Sequence, residues 1–411
     1  MAAVIETTAK PEAHKLRSRG YRRVTAALFV AGVATFGSMY ATQAVLPEFS
    51  QQFGASPAKA ALAMSLTTGM LALTIIPASA LSARFGRTRV MTVSALSAAV
   101  IGLLVPLAPS LEVLLALRAA QGVALAGVPA VAMAYLAEEV DATSLGRAMG
   151  LYIAGTTIGG LLGRVLTASM LDVTTWRWAL EVAALVAALS AIALVRLLPA
   201  SRRFEPQRVT PGRVAKNVAN HLRSPVLLAL CTVSFLLMGS FVAVFNFLSY
   251  RLLSNPFGLT ATLTGLVFLF YLAGTFSSPR AGQLSDRYGR AIVLAGSVVV
   301  MLAGILLTVP DSLAAVLMGI AVFTMGFFSA HSVASSWVSL AATEHRAEAS
   351  ALYLFSYYLG SSVAGGGAGV FFTMGGWPAL TMFVGVLIVC ALLLVAWSAR
   401  DGRKVSAGKG L

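Results

Sequence analysis

Charge is scarce in this chain. Only 11% of its 411 residues are Asp, Glu, Lys or Arg, against about 25% in soluble proteins. Cysteine is scarcer: Cys231 and Cys390 both fall inside apolar runs, so they read as small hydrophobes and build no disulfide framework. The four histidines and two cysteines show no metal-ligand spacing. There is no G-x-x-x-x-G-K-[ST] phosphate loop and no evident nucleophile–base pair. These absences exclude an ordinary soluble enzyme, an ATP-driven pump and an intramembrane enzyme. No metal or cofactor is called for. Disorder is excluded too, because 58% of the residues are apolar.

What is present is a series of long apolar runs, each near the 20 residues that cross a bilayer as helix. Twelve are expected. Six run near 24–46, 58–81, 90–108, 111–137, 147–170 and 176–198; six more run near 225–250, 261–280, 291–309, 312–340, 349–373 and 377–398. Pro106 with Pro109, Pro310 with Asp311, and Gly375, Gly376 and Pro378 punctuate the short connections. The expected division is a cytoplasmic tail at 1–23, a six-helix bundle at 24–198, a linker at 199–224, a second bundle at 225–398 and a tail at 399–411. The run after Arg23 is too long for a signal-peptide core, so it reads as a retained first span. The net charge of +15 then has a location: 25 of the 30 Lys and Arg fall on the side that carries the tails and the linker. Basic residues mark the cytoplasmic face, so both termini are expected there. Nucleic-acid binding would need a basic face on a folded domain, and the connections are too short to form one.

The two halves repeat each other. Leu81–Arg87 (LSARFGR) recurs as Leu284–Arg290 (LSDRYGR) at an offset of 203, and Gly159 and Trp176 recur as Gly360 and Trp377 at 201. Six helices per repeat is even, so the repeats are parallel and related by an axis along the membrane normal. The fold class is all-α: a twelve-span membrane protein of two six-helix bundles.

The loop after span 8, Gly282-Gln283-Leu284-Ser285-Asp286-Arg287-Tyr288-Gly289-Arg290, resembles the major facilitator superfamily motif G-x-L-x-D-R-x-G-R-R. The first copy keeps Arg84, Gly86 and Arg87 but has Ser79 for the leading Gly and Ala83 for the Asp. Arg118-Ala119-Ala120-Gln121-Gly122 is similar to the family's span 4 motif. Gly155 to Arg164 is similar to the span 5 signature of drug/proton antiporters, with Gly160 in place of its Pro and Arg164 in place of its last Gly. The resemblance is to bacterial permeases of the YnfM and arabinose-efflux type. It implies alternating access around a midplane site, a small-molecule substrate, a coupling proton and a monomer in the bacterial inner membrane. Efflux of small organic solutes is the activity implied. Uptake or facilitated diffusion of a metabolite is the alternative, and a non-transporting sensor or scaffold a more distant one.

Ionisable residues at membrane depth are candidates for function. Arg118 in span 4 would bind an anion or carboxylate, or serve as a hydrogen-bonding post. Arg164 in span 5 and Glu181 in span 6 lie at similar depth and are expected to pair, with Glu181 as proton carrier the alternative. Histidine has an ordinary pKa near neutral, so His331 in span 10 is a coupling candidate against a plain structural role. Phe36, Met39, Tyr40 and Gln43 share a helical face. Gln43 matches Asn246 at an offset of 203, and Tyr250 lies a turn beyond. These are candidate cavity residues or interhelical amide partners, with Phe327, Phe328, Trp337, Tyr357 and Tyr358 as possible walls. Gly155, Gly159 and Gly163 make a small-residue face for tight packing or for sliding between halves. In the loops, Asp286 is expected to accept from a helix N-terminus and Arg287 and Arg290 to meet carboxylates or lipid phosphates. If Asp286 carries such a latch, Asp286→Asn sharply reduces transport at unchanged expression; unchanged transport would reject the latch.

Overall fold

The computed structural model describes residues 12–206, 211–342 and 346–407. The ends of both tails, linker residues 207–210 and residues 343–345 lie outside the described residues. Eleven helical stretches are long and apolar enough to cross a membrane. The last, Glu348–Ala399, has 52 residues, or about 78 Å at 1.5 Å per residue, more than twice the hydrocarbon thickness. It is broken at Gly375 and Gly376, which leave helical geometry, Gly376 at φ 60°. Twelve spans result, in the order expected.

The spans are longer than the apolar runs because their polar ends are also helical. Span 1 begins at Arg19, where Ser18 caps the Tyr21 amide, and runs to Phe53. The expected tail to Arg23 therefore already contains a helical turn. Ser56, Ser110, Ser224 and Thr260 cap spans 2, 4, 7 and 8 in the same way, and Asp141 caps span 5. At the other end the final helix continues to Ala407, into the expected tail. The linker also holds a helix, Pro211–Leu222. Gly86 and Gly289, the repeated loop-motif glycines, both turn at positive φ (103° and 89°) between spans 2 and 3 and between spans 8 and 9. A side chain at either would be strained.

Glycines set the packing within each half. A Cβ on Gly155, Gly159 or Gly163 would fall within 2.3–2.5 Å of the span 1 backbone at Phe29, Val33 and Gly37. A Cβ on Gly360 would fall 2.1 Å from the Phe235 carbonyl of span 7. These faces join spans 1 and 5, and 7 and 11, inside one half each. The sliding surface between halves expected of Gly155, Gly159 and Gly163 is not where they lie.

The end that carries the termini (the terminal end) is braced inside the first half. Glu139 accepts from Ser201 Oγ and the Arg202 and Arg203 amides at 2.7, 2.7 and 3.0 Å. Tyr135 donates to the Pro199 carbonyl. Arg87 pairs with Glu138 at 2.8 Å. The hydrogen bonds that join Gln43, Leu46, Ser50, Ser65, Arg164 and Asp172 to the second half lie toward the opposite, far end.

Gly163→Ala is expected to destabilise by about 1–3 kcal/mol through overpacking against backbone, whereas Gly150→Ala, whose Cβ meets nothing within 4 Å, leaves stability unchanged or raised. Thermal unfolding in detergent separates the two; equal melting temperatures would contradict the packing account.

Candidate functional site

The halves meet through three pairs of spans. Spans 2 and 11 join where Ser362 Oγ donates to the Ser65 carbonyl at 2.7 Å. Spans 1 and 7 join through Gln43 Nε2, which donates to Asn246 Oδ1 at 2.7 Å. The Tyr250 hydroxyl donates to the Leu46 carbonyl and meets Ser50 Oγ, both at 2.7 Å. Spans 5 and 8 join where the Asp172 carboxylate accepts from the Ala261 and Thr262 amides, each at 2.9 Å. That carboxylate sits on the N-terminus of a helix, where the dipole favours an anion. Hydrogen bonds from Thr262 hold its carboxyl below the ordinary carboxylate range. A depressed folded-state pKa means the contact is present above that range and is lost as pH falls through the lowered value.

At the centre of this closed end lies Arg164, 2% exposed. Its Nε donates to Gln43 Oε1 at 2.7 Å, one terminal nitrogen to the Gly160 carbonyl at 2.8 Å, and the other to the Tyr271 hydroxyl of the second half at 3.2 Å. The guanidinium carbon lies 3.9 Å from the Tyr40 ring centroid, 4.5 Å from that of Tyr271 and 5.3 Å from that of Phe268. Such cation–π contacts are worth about 2 kcal/mol or more when desolvated. Both sides of this network are irregular. Gln43 sits in a 3₁₀ segment, Thr42–Val45, and Tyr271 in another, Val267–Leu272. A 3₁₀ stretch inside a helix marks a hinge or a strained point.

The second half supplies an aromatic wall. Phe241 stacks on Phe327 at 3.9 Å and meets Tyr271 edge-on at 5.1 Å. Phe328 closes on both. His331 lies 4.8 Å from Tyr357, and its Nδ1 is 3.0 Å from the Tyr353 hydroxyl. The wall thus runs unbroken from Arg164 to His331.

Several expected partnerships differ. Arg164 does not pair with Glu181. Helix rise gave them the same depth, but Arg164 projects toward spans 1 and 8, while half-buried Glu181 forms no ion pair among the described residues. Arg118 is 1% exposed, and its partners lie within the first half. It donates to the Ala63, Ser38 and Met39 carbonyls and to Gln121 Oε1, and so pins spans 1, 2 and 4 together as a structural post. Tyr250 is a contact of the closed end rather than a cavity wall. Asp286 is exposed and, among the described residues, accepts from no helix N-terminus; it lies 3.9 Å from Arg290. Gly282 faces open space. Arg84 and Arg287 lie over their neighbours Phe85 and Tyr288. Trp337 packs on the core apart from the wall. Asp172, Tyr271, Ser65 and Ser362 were not singled out from sequence. Thr260 carries a cap signal, but the meeting of Asp172 with the Ala261 and Thr262 amides, 89 and 90 residues on, has no sequence signature.

Asn246→Leu should leave Gln43 Nε2 without its acceptor, a cost of about 1–3 kcal/mol, and should shift the population toward opening of the far end. Spin labels at exposed Val173 and Met374 (83% and 79%) should then move apart. An unchanged distance distribution would show that this bond does not hold the end closed.

A family model described as Major Facilitator Superfamily matches residues 28–364 and again 230–410. The chain is 43% identical over 374 residues to the inner membrane transport protein YnfM of Escherichia coli (strain K12), covering 91% of this chain and 90% of YnfM. It is 40% identical over 381 residues to the uncharacterized MFS-type transporter YybF of Bacillus subtilis (strain 168), covering 93% and 94%. Its fold matches that of a bacterial homologue of the human lysosomal transporter Spinster, solved inward-facing and unoccupied. The TM-score is 0.73 at 14% identity, covering 93% of this chain and 96% of that one.

Proposed function

The chain belongs to the major facilitator superfamily, and on that premise we propose that it is a secondary transporter that exports a small organic solute by alternating access, against proton entry. The observation that carries this reading is the one-sided closure. The described hydrogen bonds between halves gather toward the far end, and the wall of the second half runs from Arg164 at that closure toward His331 in the depth of span 10. Rocking one half on the other would break those contacts and expose the same wall to the other side.

With both termini in the cytoplasm, as the basic-residue asymmetry argues, the closed end faces outward and the state is inward-facing. The bacterial inner membrane is then its location. In this state the second loop motif is disengaged: Asp286 awaits a helix N-terminus that arrives when the terminal end closes. The similarity of Gly155–Arg164 to the antiporter signature supports export. For the proton, His331 is the first candidate, because it sits on the wall and its ring nitrogen is tied to Tyr353. Glu181 is the second. A monomer contains every element this cycle uses.

Purified protein in proteoliposomes with an imposed pH gradient tests the reading against a solute panel. Export against protons predicts proton flux on adding the right solute, and its loss in His331→Gln with solute exchange at equal pH retained. Solute movement indifferent to the gradient would establish facilitated diffusion instead.

A further inference from the structure

We infer that the site between the halves takes an organic anion, with Arg164 recognising its charged group and the aromatic wall holding an apolar, ring-bearing body. This deepens the transport reading and rests on it. Two arginines, Arg118 and Arg164, are buried within the spans. Arg118 is spent: four oxygens, three of them backbone carbonyls, accept from its guanidinium, all within the first half. Arg164 is not. A guanidinium has five N–H donors, and only three bonds use them. Its acceptors are an amide oxygen, a carbonyl and a phenol, all neutral. No carboxylate among the described residues pairs with it.

The hydrogen-bond chain that holds Arg164 has a direction. Arg164 donates to Gln43 Oε1, and Gln43 Nε2 donates to Asn246 Oδ1. Both amide oxygens already accept within the chain. The free donors are two N–H groups on Arg164, the second N–H of Gln43 and the amide nitrogen of Asn246. That nitrogen is fully buried and has no partner among the described residues. Buried donors are rarely left so. A chain with donors in excess is matched by an acceptor-rich group, a carboxylate, sulfonate or phosphonate, which a guanidinium also neutralises with paired bonds. A cationic solute would meet repulsion and no counter-charge. The rings of Tyr40, Tyr271, Phe241 and Phe327 fix the other half of the ligand's chemistry. Tyr271 and Gln43 also hold Arg164 at the inter-half contact, so an anion that drew the guanidinium away would loosen the far-end closure at the moment of loading.

The test uses full-length protein in lipid nanodiscs and three probes that share one ring system: 2-naphthoate, 2-naphthamide and (2-naphthylmethyl)ammonium. Calorimetric titration at neutral pH should show 2-naphthoate binding about tenfold tighter or more than either isostere, the scale of one charged hydrogen bond. Arg164→Gln should abolish that preference. Arg164→Lys, which keeps the charge without the fork, should retain it at weaker affinity, and guards against a folding defect in the Gln variant. Equal binding of all three, lost in Phe241→Ala, would overturn the anion assignment and leave the site reading standing. Naphthoate binding that survives both Arg164→Gln and Phe241→Ala would overturn both. No naphthoate binding by the unmodified protein would overturn the anion assignment.

Discussion

A guanidinium charge buried between two helical bundles, with no carboxylate paired to it among the described residues, is the constraint around which this protein is arranged. In a medium of low dielectric such a charge is costly unless its donors are met and its field is answered. Arg164 is met by an amide, a carbonyl and a phenol, and answered by the faces of Tyr40 and Tyr271. Two of those partners lie on 3₁₀ segments, and one belongs to the other half of the molecule. The closure of the far end and the chemistry of the site are therefore one structure. A change that satisfies Arg164 differently must also change how the halves meet.

The internal duplication explains the frame but not this charge. Repeat-related glycines make the same turns at Gly86 and Gly289 and the same close approaches at Gly159 and Gly360. Gln43 and Asn246, also repeat partners, find each other across the pseudo-axis. The buried cations break the symmetry. Arg118 and Arg164 both lie in the first half, and the positions 201 residues on are Gly319 and Gly365. The second half contributes rings where the first contributes charge. The terminal end is unequal too: Glu138 and Glu139 tie the first loop and the linker to span 4, while among the described residues Asp286 of the second loop forms an ion pair with Arg290 alone.

Periodicity, length and turn residues made the twelve spans and their pairing into repeats legible, because those features are written locally. The break at Gly375–Gly376 and the small-residue faces were legible for the same reason. Arg164, Gln43 and Asn246 were also visible, since a charge or amide in an apolar helix stands out; Tyr271 and Phe241, rings among many rings, were not. Nor were the partnerships. Depth follows from counting residues along a helix, but the direction a side chain faces depends on how neighbouring helices are rotated. Arg164 and Glu181 have matching depth and different faces. Asp172 shows the same limit: a carboxylate at a helix end is ordinary, and becomes a lock only when a particular helix N-terminus is brought to it.

The central claim is that the far-end contact must break in every transport cycle. A Cβ on Gly69 would lie 3.2 Å from the Ser362 Cβ across the span 2–span 11 contact, near the separation a disulfide spans. Gly69→Cys with Ser362→Cys, in protein with Cys231 and Cys390 replaced by Ala, can therefore be oxidised to tie the halves at that end. Solute flux in proteoliposomes before oxidation, after it and after reduction is the direct measurement. The account predicts that oxidation stops flux and reduction restores it. Undiminished flux through the cross-linked protein would contradict it.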